Sequence, residues 1–156
     1  MVLLIGEFEA TIDAKRRLAV SSAIRDQIDP HEDGENFILV LGPDRHLWLY
    51  PDRYYRRLLA TMKRSPLPSR RQRKTDLFFA MARVLKPDAQ GRVVLPEKSI
   101  QRAVVTDQVT LVGMNDHIEI WPRGEWDRRV EEGLSGYGEM FDEAADAVAD
   151  QAASEK

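Results

Sequence analysis

A chain of 156 residues can form one ordinary domain or two small modules sharing a core, and its 43% hydrophobic content excludes disorder throughout. The absence of cysteine excludes disulfides and thiolate metal sites, and it fits a reducing compartment, the cytoplasm by default. A formal charge of −3 argues against a uniformly basic nucleic-acid binder, yet the charge is segregated: nine Arg or Lys and no acid from Arg53 to Lys74, then eight acids against one Lys from Glu131 to Lys156.

The apolar run after Met1 is too short for a signal or membrane segment and is predicted to open a strand. Over residues 2 to 12, Leu4, Gly6, Phe8, Ala10 and Ile12 alternate with Glu7, Glu9 and Thr11, which predicts one buried and one solvated face. Leu18-Ala19-Val20 is extended, and Ser21 or Ser22 can cap a short helix closed by Asp29-Pro30. Residues 31 to 36 read as a loop. Phe37 to Leu41 and Leu47 to Tyr50 form a hairpin, and Pro51-Asp52 starts a helix carrying Tyr54, Tyr55, Leu58, Leu59 and Met62. Ser65-Pro66-Leu67-Pro68 breaks it, and Ser69 can cap a second, basic helix ahead of Leu77-Phe78-Phe79.

The rest replays this order. Asp13 and Arg17 recur 75 residues later as Asp88 and Arg92, while Gly42, His46, Leu49, Pro51 and Tyr55 match Gly113, His117, Ile120, Pro122 and Trp126 at 71. The difference of four is assigned to the 31 to 36 loop. The division that follows is a first module at 1–64, a basic helical connector at 65–76, a second module at 77–134 and an acidic tail at 135–156. Units of roughly 40 to 50 residues are near the lower limit for an autonomous core, so the two should share one about a pseudo-dyad. In the tail, Gly133, Gly136 and Gly138 suggest a flexible joint before a solvated helix.

In the repeated element, the Asp can accept hydrogen bonds from turn amides and Gly91 can take positive φ. The Arg then leaves on a strand, from which a guanidinium can grip a phosphate or guanine O6 and N7. The plainer alternative is a pair of surface ion pairs flanking turns, each worth under about 1 kcal/mol.

Gly6-Glu7-Phe8, Thr11-Ile12-Asp13-Ala14-Lys15, Phe78-Phe79, Asp88-Ala89-Gln90-Gly91-Arg92 with Leu95-Pro96, and Asp116 to Trp121 with Trp126 together resemble the MraZ family of bacterial transcriptional regulators. The resemblance runs from about residue 5 to 130. It implies an α+β, mainly β fold: two tandem swapped-hairpin modules similar to AbrB and SpoVT, packed as one double-module barrel with peripheral helices. It further implies a nucleoid-associated repressor of the division and cell-wall gene cluster, acting at its own promoter. Ring-shaped homo-oligomers would present Arg17 and Arg92, with Lys15 beside the first, to direct repeats in the major groove of double-stranded DNA, and Arg16, this chain's own addition, is a further DNA-binding candidate. Asp13, Asp88 and Gly91 would set the turns. No cofactor, metal, membrane or small-molecule substrate is implied. The sequence departs from the family at Arg16, where Gly is typical, so Arg16 must accept positive φ or change the turn, and at Ser21, where Pro is usual.

Trp48, Tyr50, Phe78, Phe79, Trp121 and Trp126 are expected to be core or interface anchors rather than a stacking platform. The basic residues from 53 to 74 are expected to be solvated or to meet acidic surface on a neighbouring subunit. His46 and His117 hold equivalent hairpin places, and without Cys or His-x-x-His spacing a metal site is not expected. Catalysis by Asp13 and Asp88 as an aspartate pair is disfavoured, because an Arg four residues on keeps each ionised. The alternative to DNA binding is a ring-forming adaptor that holds a protein through its acidic tail.

Overall fold

A computed structural model describes residues 2–62, 66–67 and 69–155, without the side chains of 72–74. Lys63, Arg64, Ser65 and Pro68, and the side chains of Arg73 and Lys74, therefore lie outside the described residues. Chain contacts divide the protein into residues 1–123 and 124–156.

The first unit is α+β, and its strands are short because turn residues interrupt them often. In chain order they are β1 (Glu7–Thr11), β2 (Arg17–Ala19), β3 (Phe37–Leu41), β4 (Leu47–Pro51), β5 (Arg83–Leu85), β6 (Arg92–Val94), β7 (Gln108–Gly113) and β8 (Ile118–Pro122). The helices are α1 (Ser22–Arg25), α2 (Asp52–Ala60), α3 (Asp76–Met81) and α4 (Glu97–Arg102). The strand predicted over residues 2 to 12 is real only from Glu7, because Gly6 takes φ +107° and breaks it. Leu4 still bridges Asn115, and Leu4 and Ile12 are buried with Phe8 and Ala10 half-buried, so the predicted inner face holds except at Gly6, which is exposed.

Six strands form one sheet in the order β1-β7-β8-β4-β3-β5, and β2 pairs with β6 in a separate two-stranded ribbon. The opening strand of each repeat lies on the other repeat's hairpin: β1 pairs with β7, and β5 with β3. The order reads the same from either end once equivalent strands are exchanged. At the centre of the sheet Trp48 faces Glu119, and at the centre of the ribbon Leu18 faces Val93. Each of these pairs joins a residue to its own repeat equivalent, so the pseudo-dyad passes through both.

Among the described residues β1 and β5 are the edges of an open sheet, so the expected closed barrel is not formed. The turn at Asp13 carries the chain out of the sheet and into the ribbon, and the turn at Asp88 does the same. The match of Gly42 with Gly113 also needs correction. Gly42 N–H donates to His46 O in the first hairpin turn, whereas the second opens one residue later, from Met114 N–H to His117 O. Leu39 faces Leu49 and Leu111 faces Ile120, so the strand before the turn is offset by 72 (Leu39 to Leu111) and the one after by 71 (Leu49 to Ile120). One of the four residues is thus lost in the second hairpin turn, not in the 31 to 36 loop.

The main core combines the inner ribbon residues Leu18 and Val93 with Leu39, Leu49, Leu111 and Ile120 of the sheet and with Ile24 and Leu95. Each is nearly or fully buried, and burial of a side chain this size contributes about 1.5–3 kcal/mol. A smaller cluster on β3 and β4 joins Ile38, Val40 and Tyr50 to Tyr55 of α2. Tyr55 is the one buried residue of that helix, and Leu58 and Met62 of the predicted stripe are largely exposed. The predicted basic helix after Ser69 is a 3-10 turn over Arg70–Thr75 that runs into α3. Phe78 and Phe79 lie on α3 and are 37% and 45% exposed, so they do not anchor this chain's own core.

The second unit holds most of α5 (Arg123–Leu134) and all of α6 (Tyr137–Ser154). Helix α5 runs through Gly133, and Gly138 lies inside α6, so the predicted glycine joint narrows to Ser135 and Gly136. No described residue of α6 is buried, as expected for a solvated helix. Among the described residues no helix is long and apolar enough to cross a membrane.

Candidate nucleic-acid interface

The two repeated turns close in the same way. In the first, Asp13 Oδ1 accepts from the N–H groups of Lys15 and Arg17, both at 2.9 Å, while Oδ2 accepts from Arg17 Nε at 2.6 Å. In the second, Asp88 Oδ1 accepts from Gln90 and Arg92 N–H at 2.9 and 3.0 Å, and Oδ2 from Arg92 Nε at 2.9 Å. The Asp side chain thus stands in for a backbone acceptor inside the turn and at the same time fixes the arginine that follows. Both carboxyl groups are held below the ordinary carboxylate value, chiefly by the hydrogen bond from the Arg17 or Arg92 N–H, which outweighs the opposing desolvation. They stay ionised, which is unsuited to a shared-proton catalytic pair.

Leu18 and Val93 point inward and are fully buried. The outer face of the ribbon therefore carries Arg17, Ala19, Arg92 and Val94, with Arg17 opposite Val94 and Arg92 opposite Ala19. The arginine side chains are 35% and 33% exposed. Each is anchored through Nε, and among the described residues no hydrogen bond or ion pair occupies its terminal nitrogens. Lys15 is exposed beside the first turn.

The fourth turn position separates the copies. Arg16 does take positive φ, +62°, where Gly91 takes +79°. Their carbonyls are used alike: Leu95 N–H donates to Arg16 O at 2.8 Å, and Val20 N–H to Gly91 O at 3.0 Å. Arg16 Nε in turn donates to Leu95 O at 3.0 Å. So of the two expected alternatives the first holds: Arg16 accepts positive φ and the turn keeps the shape it has at Gly91.

The chain matches the family model described as "MraZ protein, putative antitoxin-like" twice, over residues 3–78 and 78–146. The chain belongs to the MraZ family. Similar proteins are named Transcriptional regulator MraZ: one from Pediococcus pentosaceus is 34% identical over 151 residues, 95% of this chain and 98% of that protein. Another from Herpetosiphon aurantiacus is 38% identical over 80% of this chain and 84% of its own length, and one from Clostridium tetani is 32% identical over 80% and 85%. These relatives are transcriptional regulators by name. The MraZ repeat matched twice corresponds to the two turn-bearing halves whose strands are exchanged here.

Three features escaped sequence reasoning. Arg25 reaches from α1 to the second turn, where its guanidinium lies over Gly91 and its Nε donates to Val20 O at 2.8 Å. Buried Asp33 accepts from Arg57 at 2.9 Å, and Arg53 donates to His31 O at 2.6 Å. Those two arginines of the basic stretch tie down the 31 to 36 loop. His117 is buried, with Nδ1 2.7 Å from Asp116 and Nε2 2.8 Å from Glu119. The i, i+2 spacing of His117 and Glu119 was a usable signal, since it puts both on one face of a strand. His46 packs tilted against Trp121 and His117 stacks on Trp48, with ring centroids 4.1 Å apart in each pair.

Proposed function

We propose that this chain is a sequence-specific DNA-binding transcriptional regulator, a repressor of the division and cell-wall gene cluster at its own promoter, with Arg17 and Arg92 reading direct-repeat DNA in the major groove. The observation that carries this reading is the β2–β6 ribbon, with two Asp-anchored arginines on one exposed face. The major groove admits a two-stranded ribbon, and a guanidinium held by Nε keeps both terminal nitrogens for guanine O6 and N7. Ala19 and Val94, beside the arginines, suit apolar contact with thymine methyl groups. Lys15 and Arg16 add charge for backbone phosphates. The relatives' names support regulation, and the exchanged opening strands support swapped-hairpin modules of the AbrB type, with boundaries at 1–64, 65–76, 77–134 and 135–156. Several copies in a ring would bring successive ribbons to successive repeats, at the nucleoid in the cytoplasm.

The test is a titration of native protein, Arg17→Ala, Arg92→Ala and the double variant against the duplex upstream of its own gene and a shuffled duplex. Each single change is expected to weaken specific binding by about 5- to 150-fold, the worth of one bidentate base contact. The double variant should not distinguish the duplexes. Equal binding by all four proteins overturns the role of these arginines, and a native protein indifferent to both duplexes favours the adaptor reading.

A further inference from the structure

The two turns differ at the third position, Lys15 against Gln90, and at the fourth, Arg16 against Gly91, and for the fourth the structure compensates from elsewhere in the chain. At Arg16 the turn supplies its own guanidinium, which donates through Nε to Leu95 O. At Gly91 the turn has no side chain, and the guanidinium comes from Arg25, which donates through Nε to Val20 O. Val20 and Leu95 are 75 residues apart, as are Arg16 and Gly91, so the two acceptor carbonyls are repeat equivalents. A Cβ on Gly91 would lie 2.4 Å from Arg25 Cζ and 2.5 Å from its Nε. Glycine suits that place twice over: it takes φ +79° without strain, and it leaves the room that the Arg25 guanidinium occupies. The repeat equivalent of Arg25 is Ile100, an apolar residue of α4 packed against the core. Each turn thus has one guanidinium at this place, from the turn in one copy and from the helix behind it in the other.

We propose that Arg25 is a DNA-contacting residue of the second turn, equivalent to Arg16 in the first. The interface then holds two pairs, Arg16 with Arg17 and Arg25 with Arg92, all four anchored through Nε. Among the described residues no carboxylate pairs with Arg16 or Arg25, in contrast to Arg17 and Arg92. Neutral carbonyl anchors leave the full charge of these two for phosphate, while the Asp-bound pair is oriented for bases. The proposal rests on the DNA reading above.

The experiment uses the full-length protein against the upstream and shuffled duplexes across a salt series. Arg25→Ala is expected to weaken binding to both duplexes about equally, by roughly 5- to 10-fold at moderate salt, and to lower the log–log salt slope by about 1. Arg92→Ala should instead lower discrimination between them. Because Arg25→Ala also removes a hydrogen bond to Val20 O, a second set removes concern over folding. Arg16→Gly should weaken binding as Arg25→Ala does, and Arg16→Gly combined with Ile100→Arg should restore it, since the first turn then copies the second. Unchanged affinity and slope in Arg25→Ala, with Arg92→Ala impaired, overturns the role of Arg25 and leaves the DNA reading intact. Failure of Ile100→Arg to restore Arg16→Gly overturns the equivalence of the two places. A native protein that binds neither duplex overturns both the reading and the proposal.

Discussion

His117 shows how much one residue's surroundings can decide. Burial alone would lower its pKa, but hydrogen bonds to the Glu119 and Asp116 carboxylates prevail and hold it above its ordinary value of 6.5. Burial likewise opposes ionisation of Glu119, yet hydrogen bonds from His117 and Trp121 carry it below 4.5. The signs follow from linkage. The raised histidine contributes stability that is complete below about pH 6.5 and fades as pH rises through the folded value. The depressed Glu119 contributes stability present above about pH 4.5 and lost as pH falls. Stability from this pair should therefore be greatest between those limits. His117→Gln is expected to cost about 2 kcal/mol at pH 6, the scale of a charged hydrogen bond, and distinctly less at pH 9. Denaturant melts at the two pH values decide the matter, and an equal loss at both would show that the charge is irrelevant.

Elements were legible where period and punctuation agreed. The hairpin β3–β4, the cap of α1 by Ser21, and α2 after Pro51 follow from two apolar runs split by turn residues, a hydroxyl, and a helical stripe. Ser21 Oγ accepts from Ala23 N–H at 3.3 Å, and the cap is the side chain that Pro96, its repeat equivalent, lacks. The aromatic stripe of α2 was harder to read, because period shows which residues share a face but not how deep that face lies. Tyr55 alone is buried, and among the described residues its hydroxyl has no partner. Burial pushes that phenol up to about 12. Tyr55→Phe removes the buried oxygen and keeps the ring, so it should stabilise the protein by about 1 kcal/mol. A midpoint shift toward lower denaturant would instead reveal a partner for the hydroxyl.

For the whole molecule, the duplication and both Asp-anchored turns could be read from spacing, because hydrogen bonds from Asp side chains are local. Arg25 was not readable, since its partner Gly91 is 66 residues away and only the exchange of strands brings them together. Charge segregation carries a testable effect at this scale too. Deleting 137–156 removes six acids and one Lys, which turns a formal charge of −3 positive. Binding to a shuffled duplex should tighten severalfold at low salt, while the ratio of specific to shuffled affinity falls. Gel-shift titrations of the two proteins measure this, and equal affinity for the shuffled duplex would rule out electrostatic restraint by the tail.

The exchange of opening strands also sets an order of events during synthesis. The first repeat is complete when α2 has emerged, yet β1 still lacks β7 and β3 lacks β5. Until β8 leaves the ribosome, Leu39 and Leu49 have no Leu111 or Ile120 to complete their core, and they stay open to water. The ribbon that carries the arginines is assembled from both repeats, so a nascent half-chain has no DNA-reading face. Competence arrives only after the ribbon strands of both repeats have been made.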